Sequence, residues 1–120
     1  MKYGATLIDF EKALSAMSGD RSLLNETLQD FIDYYADAGD RIGMAISERR
    51  YHDAEIVSHT LKGLGATFAA EELNRSAEAM ETLLRDKAVD RLNDQLADLK
   101  EAIDQMVAVI QDNLKATNEI

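Results

Sequence analysis

Apolar positions recur along this chain at helical spacing, and no stretch shows the strict alternation of a half-buried strand. Leu7, Ile8, Phe10, Ala13, Leu14 and Met17 predict a short helix from about Asp9 to Met17. Ser18-Gly19-Asp20 closes it, with a glycine to end one helix and an aspartate to cap the next. From Asp20 the series Leu24, Leu28, Phe31, Tyr35, Ala38, Ile42 and Ala45 steps by four and three without a gap. That predicts one long helix with a single buried stripe, its polar side holding Glu26, Asp30, Asp33, Asp37 and Asp40. Gly39 and Gly43, inside this helix, read as close-packing or bending points, and Ser47-Glu48-Arg49-Arg50 reads as a turn. A third helix is expected from about Tyr51 to Thr67 with Ala54, Val57, Leu61, Leu64 and Phe68 inward, followed by a tight turn at Ala69-Ala70. A fourth points Leu73, Ala77, Met80 and Leu84 inward; a fifth, from about Val89, does so with Leu92, Leu96, Leu99, Ile103, Met106, Ile110 and Leu114. Residues Ala116 to Ile120 are expected to fray.

Amphipathic helices joined by short connections pack most simply as an all-α, antiparallel up-down four-helix bundle, with the short N-terminal helix capping one end. The 120 residues suit one domain spanning 1–120, enough for one continuous core. Absence of proline agrees with helices, and absence of cysteine excludes disulfides, thiolate metal sites and thiol nucleophiles. The net charge of -10 argues against nucleic acid or an anionic membrane as the main partner, and favours another protein. Met1-Lys2-Tyr3-Gly4-Ala5 lacks the blocks of a signal peptide, and no apolar run approaches the roughly 20 residues of a membrane span. A cytoplasmic, free-standing monomer is the expectation.

The stretch Ser58-His59-Thr60-Leu61-Lys62-Gly63-Leu64-Gly65-Ala66 stands out. It places two glycines in a helix interior, each costing about 1 kcal/mol relative to alanine, beside an ionisable pair. With Val57 and Leu61 inward, His59 lies about 200 degrees from each and projects outward. Lys62 and Gly63 are its neighbours one turn on. A cation and bare backbone beside an imidazole suit a bulky anion carried on a ring nitrogen. An exposed histidine with an incidental lysine is the plainer explanation, but it leaves the glycines without a cause.

If the third and fourth helices form an antiparallel hairpin about Ala70, positions whose numbers sum to about 140 are level. His59 then meets Glu81, whose carboxylate would accept from Nδ1 and leave the Nε2 lone pair outward as a nucleophile. By the same count Glu78 falls level with Lys62 as its ion-pair partner, and Arg85 becomes a candidate second cation.

These residues resemble the histidine-containing phosphotransfer domains of multistep two-component signalling. His59-Thr60-Leu61-Lys62-Gly63 carries the match, with Gly65, Ala66 and Ala69-Ala70-Glu71-Glu72-Leu73 after it and Gly19-Asp20, Leu23-Leu24, Phe31 and Tyr51 before it. The resemblance spans nearly the whole chain and departs at Ala69, where a glycine is usual, and at Ser58, where an alanine is frequent. It implies that His59 accepts a phosphoryl group on Nε2 from a receiver-domain aspartate and passes it to another, the receivers belonging to a sensor kinase and a response regulator. Lys62 would neutralise phosphoryl oxygens, Gly63 keep the approach open, and Glu81 orient the ring. No nucleotide loop is present, so the chain reads as a carrier without a cofactor of its own, magnesium coming from the receiver. The receiver would dock over Ile56 and Ala66, which flank His59.

Two other readings are weighed. His52, seven before His59 with Glu55 between, suggests a surface metal site, but a di-iron bundle needs two Glu-x-x-His units facing inward, and the expectation is no metal. A non-catalytic helical adaptor would need no phosphoryl chemistry, yet His59, Lys62 and Gly63 are all in place.

Overall fold

The computed structural model describes residues 7–118, and the first and last residues of the chain, 1–6 and 119–120, lie outside it. The described residues form an all-α bundle of α1 (Phe10–Ala16), α2 (Arg21–Tyr35), α3 (Ala38–Ser47), α4 (Tyr51–Thr67), α5 (Glu71–Arg85) and α6 (Leu92–Asn118), with a 3-10 turn at Val89–Arg91. Side chains cap the first two helices: Asp9 accepts from the Lys12 amide at 3.1 Å and Asp20 from that of Leu23 at 3.0 Å. The Asp9 amide donates to the Ala69 carbonyl at 3.2 Å, which ties the start of α1 to the turn between α4 and α5.

The single long helix predicted from Asp20 is instead two. The apolar stripe continues in phase, but the backbone breaks at Ala36-Asp37. Arg41 gathers the broken end: its Nη2 donates to the Tyr34 carbonyl at 2.5 Å, its Nε to Asp37 Oδ1 at 3.2 Å, and its guanidinium lies 5.6 Å from the Tyr35 ring centroid. A carbonyl that loses its helical partner is thus satisfied by a side chain. At the other end, α6 remains helical to Asn118, past the Ala116 where fraying was expected. The part of that expectation concerning residues 119–120 lies outside the described residues.

α4 packs on α5, α5 on α6, and α3 on both α4 and α6, with α2 against α6. The core between them holds Leu28, Phe31, Ile42, Leu61, Phe68, Leu73, Met80, Leu99, Ile103 and Met106, all fully buried. Phe31 meets Phe68 edge to face at 5.9 Å, which joins α2 to the end of α4. On one flank of α5 the buried Ser76 hydroxyl donates to Asp98 Oδ2 at 2.7 Å, and Gln95 Nε2 to the Ser76 carbonyl at 3.0 Å, fastening α5 to α6.

α1, α3, α4 and α5 all finish in the same way. Ser18, Arg49, Ala69 and Lys87 adopt positive φ (57°, 60°, 52° and 57°), and the following amide reaches back to Leu14, Ala45, Gly65 and Leu83 respectively. This is the Schellman geometry, built four times without glycine at the left-handed position. Ala69, where the resemblance leads one to expect glycine, is therefore in the conformation glycine favours.

Among the described residues no helix is long and apolar enough to cross a membrane.

Candidate functional site

The site rests on the outward side of α4. Arg50 secures the start of this helix by bridging Glu48 (2.7 Å) and Asp53 (2.9 Å). The innermost line of α4 is Ala54, Ser58, Leu61, Gly65 and Phe68. Val57 and Leu64, predicted to share it, are half-buried at its rim. Two small residues cause the difference. Ser58 is buried with its hydroxyl donating to the Ala54 carbonyl at 2.9 Å, so its polarity is satisfied inside the helix. At Gly65 an added Cβ would lie 2.6 Å from the Asn74 amide nitrogen and 2.8 Å from its Cα, so α4 and α5 meet there backbone to backbone.

His59 projects from this helix with 67% of its side chain exposed. Its Nδ1 lies 2.7 Å from Oε2 of Glu81, which α5 presents from a buried position with a side chain only 10% exposed. Lys62, one turn after His59, places Nζ 2.9 Å from the other oxygen, Oε1. Lys62 chiefly holds the Glu81 carboxyl below the ordinary carboxylate range, with His59 aiding and burial opposing.

The charge state of Glu81 fixes the imidazole. An ionised carboxylate only accepts, so the ring nitrogen facing it must be the donor. In the neutral ring Nδ1 then carries the hydrogen, and the lone pair is on Nε2, on the side away from Glu81.

Glu78, level with Lys62 by the hairpin count, does not pair with it. The side chain of Glu78 emerges about 60 degrees further round α5 than that of Glu81 and is exposed. Level height alone does not select a partner; the side of the helix does. Arg85, the last residue of α5, is exposed and makes no ion pair among the described residues.

Gly63 faces open space, with nothing within 4 Å of the position a Cβ would take. Ile56 is 52% exposed and Ala66 is exposed as well. A shallow depression of about 300 Å³ beside the imidazole is lined by His52, Glu55, Ile56, His59, Thr60 and Glu81. The depression therefore opens on the N-terminal side of His59, while Gly63 clears the side one turn on. Thr60 was not singled out in the sequence; its hydroxyl donates to the Ile56 carbonyl at 3.1 Å. Asn74 was missed too, although its Nδ2 donates to the Lys62 carbonyl at 2.9 Å. An asparagine inside a helix, level with a glycine of the neighbouring one, was the available signal.

Among the described residues no group of three or more His, Cys, Asp or Glu side chains converges as a cation site.

No curated protein and no solved structure matches the chain. The family model of the Hpt domain matches residues 26–109, a span that takes in α3, α4, α5 and the whole His59, Lys62 and Glu81 constellation. With most of its length so matched, the chain belongs to the Hpt domain family, the histidine-containing phosphotransfer domains of two-component phosphorelays.

Proposed function

We propose that this chain relays a phosphoryl group between receiver domains, with His59 as the acceptor and donor. The observation that carries this reading is the 2.7 Å contact between Nδ1 of a largely exposed imidazole and a buried carboxylate. Nε2 attacks the phosphorus of a receiver's aspartyl phosphate; an N–P bond forms, the P–O bond to the aspartate breaks, and the carboxylate leaves with the electron pair. The imidazole keeps its Nδ1 hydrogen and becomes a cation, which the Glu81 carboxylate stabilises. Transfer to a second receiver runs the same step backwards, one receiver belonging to a sensor kinase and the other to a response regulator.

Lys62 adds positive charge on the flank where the phosphoryl oxygens would sit, and Gly63 leaves that flank uncovered. Ile56 and Ala66 offer apolar contact to the docking receiver. Magnesium belongs to the receiver, and the chain acts as a carrier with no kinase site of its own. In this reading it is one monomeric domain over 1–120, working in the cytoplasm. The pairwise packing of α2–α3, α4, α5 and α6 supports an antiparallel up-down four-helix arrangement, with α1 capping the end where Asp9 meets Ala69.

The test is incubation with a phosphorylated receiver. The expected product is an acid-labile, base-stable label on the wild type that disappears in His59→Gln. No label from a broad panel of receivers, or one that persists in His59→Gln, refutes the reading and favours a non-catalytic adaptor.

A further inference from the structure

Lys62 is held by α5 at both of its ends. Glu81 meets its ammonium, and Asn74 donates to its backbone carbonyl through a half-buried bond between the helices. Asn74 and Glu81 are seven residues apart, two helical turns, so they project from the same side of α5. Among the described residues they make all the side-chain hydrogen bonds and ion pairs that link α4 to α5. The opposite flank of α5 is fastened to α6 by Ser76, Asp98 and Gln95.

The two α5 side chains act differently on α4. The backbone contact at Gly65 sets how closely the helices approach, and apolar burial between them is non-directional. A hydrogen bond from a short, half-buried amide to a fixed carbonyl is directional and sets height. Height is what the His59–Glu81 contact needs, because a bond of that length loses strength steeply when its geometry slips. Asparagine is also a poor helix former, so its place inside α5 is explained by what it holds.

We propose that Asn74 is a positioning residue for His59: its bond to the Lys62 carbonyl sets the height of α4 on α5 at which Glu81 reaches Nδ1 and fixes the imidazole tautomer. This deepens the phosphoacceptor reading of His59 and rests on it for its meaning in catalysis, though the geometry it asserts is measurable without any transfer.

The experiment records 15N shifts of the His59 ring nitrogens through a pH titration of the full chain, without a receiver, for the wild type, Asn74→Ala and Asn74→Gln. Alanine removes the donor and raises helix propensity, so helical circular dichroism is expected to be unchanged. The preference for the Nδ1-protonated tautomer should fall about fivefold, the size of one hydrogen bond's worth of bias. Asn74→Gln, which keeps the amide on a longer stem, should retain more of the preference than Asn74→Ala. In a separate assay, acceptance from a phosphorylated receiver should slow in the same order. Wild-type tautomer balance in Asn74→Ala overturns the proposal, as does loss of helical structure, which would make Asn74 a residue of the fold alone. A wild type that takes no label refutes the carrier reading and leaves the tautomer result standing.

Discussion

Two places in this bundle combine the same three residue types, a helix glycine, a lysine and a carboxylate, and arrange them in opposite senses. In the α3–α6 seam Gly39 is buried and Lys100 lies over it: a Cβ there would meet Lys100 Cγ at 2.5 Å. The Lys100 ammonium then reaches outward to Asp40 at 3.1 Å, a carboxylate 80% exposed. On α4 the glycine, Gly63, is uncovered, and the lysine beside it turns inward to Glu81, a carboxylate only 10% exposed. In the first place the glycine is a socket for a side chain, and the ion pair is a by-product of where the lysine ends. In the second it is a gap in the surface, and the ion pair holds a carboxylate that also binds an imidazole. Composition alone does not separate the two; burial of the carboxylate does.

Glu81→Gln should break the contrast most strongly. Losing the charge leaves both Nδ1 of His59 and the Lys62 ammonium without their anion, at a cost of about 2 kcal/mol at neutral pH by chemical denaturation. The sign of its pH dependence follows from Lys62, which with His59 holds the Glu81 carboxyl low against the effect of burial. A carboxyl depressed on folding contributes stability above its unfolded value, about 4.3, and loses it as pH falls through the folded value. The gap between wild type and Glu81→Gln should therefore be full at pH 7 and close in acid below pH 4 or so. A gap that widens in acid would contradict the ionised, acceptor-only carboxylate.

Next in size, Gly63→Ala fills open space and gains helix propensity, so stability should rise by about 1 kcal/mol. The same change should slow phosphoryl acceptance by about tenfold, as expected for an obstructed approach. Gly39→Ala should show no such gain, since Lys100 must move to admit the methyl group. Equal stabilisation of the two variants would erase the distinction between socket and gap. Asp40→Asn is the smallest change, within about 0.5 kcal/mol, because its ion pair with Lys100 is exposed to solvent.

How far these features were legible in the sequence depends on what each rests upon. The bounds of α4, Tyr51 to Thr67, follow from local signals, and the structure has the same bounds. The pairing of His59 with Glu81 follows from counting along a hairpin, and the observed contact lies where that count puts it. The break at Ala36-Asp37 was not legible, because the apolar stripe runs through it in phase and the compensating groups on Arg41 lie beyond it. The assignment of Glu78 to Lys62 used height and ignored the direction in which each side chain leaves its helix. Gly65 packs on α5, but the residue it touches, Asn74, has no signal unless that glycine is already placed.

The four left-handed turn residues have a kinetic consequence. Ser18, Arg49, Ala69 and Lys87 give the unfolded chain little local bias toward the turn geometry they adopt. Hairpin closure must therefore draw on helix docking, and for α4 and α5 that means the backbone contact of Gly65 with Asn74. In the folding transition state these helices would be partly docked before the Ala69 turn takes its final shape, so that the turn follows the packing and does not direct it.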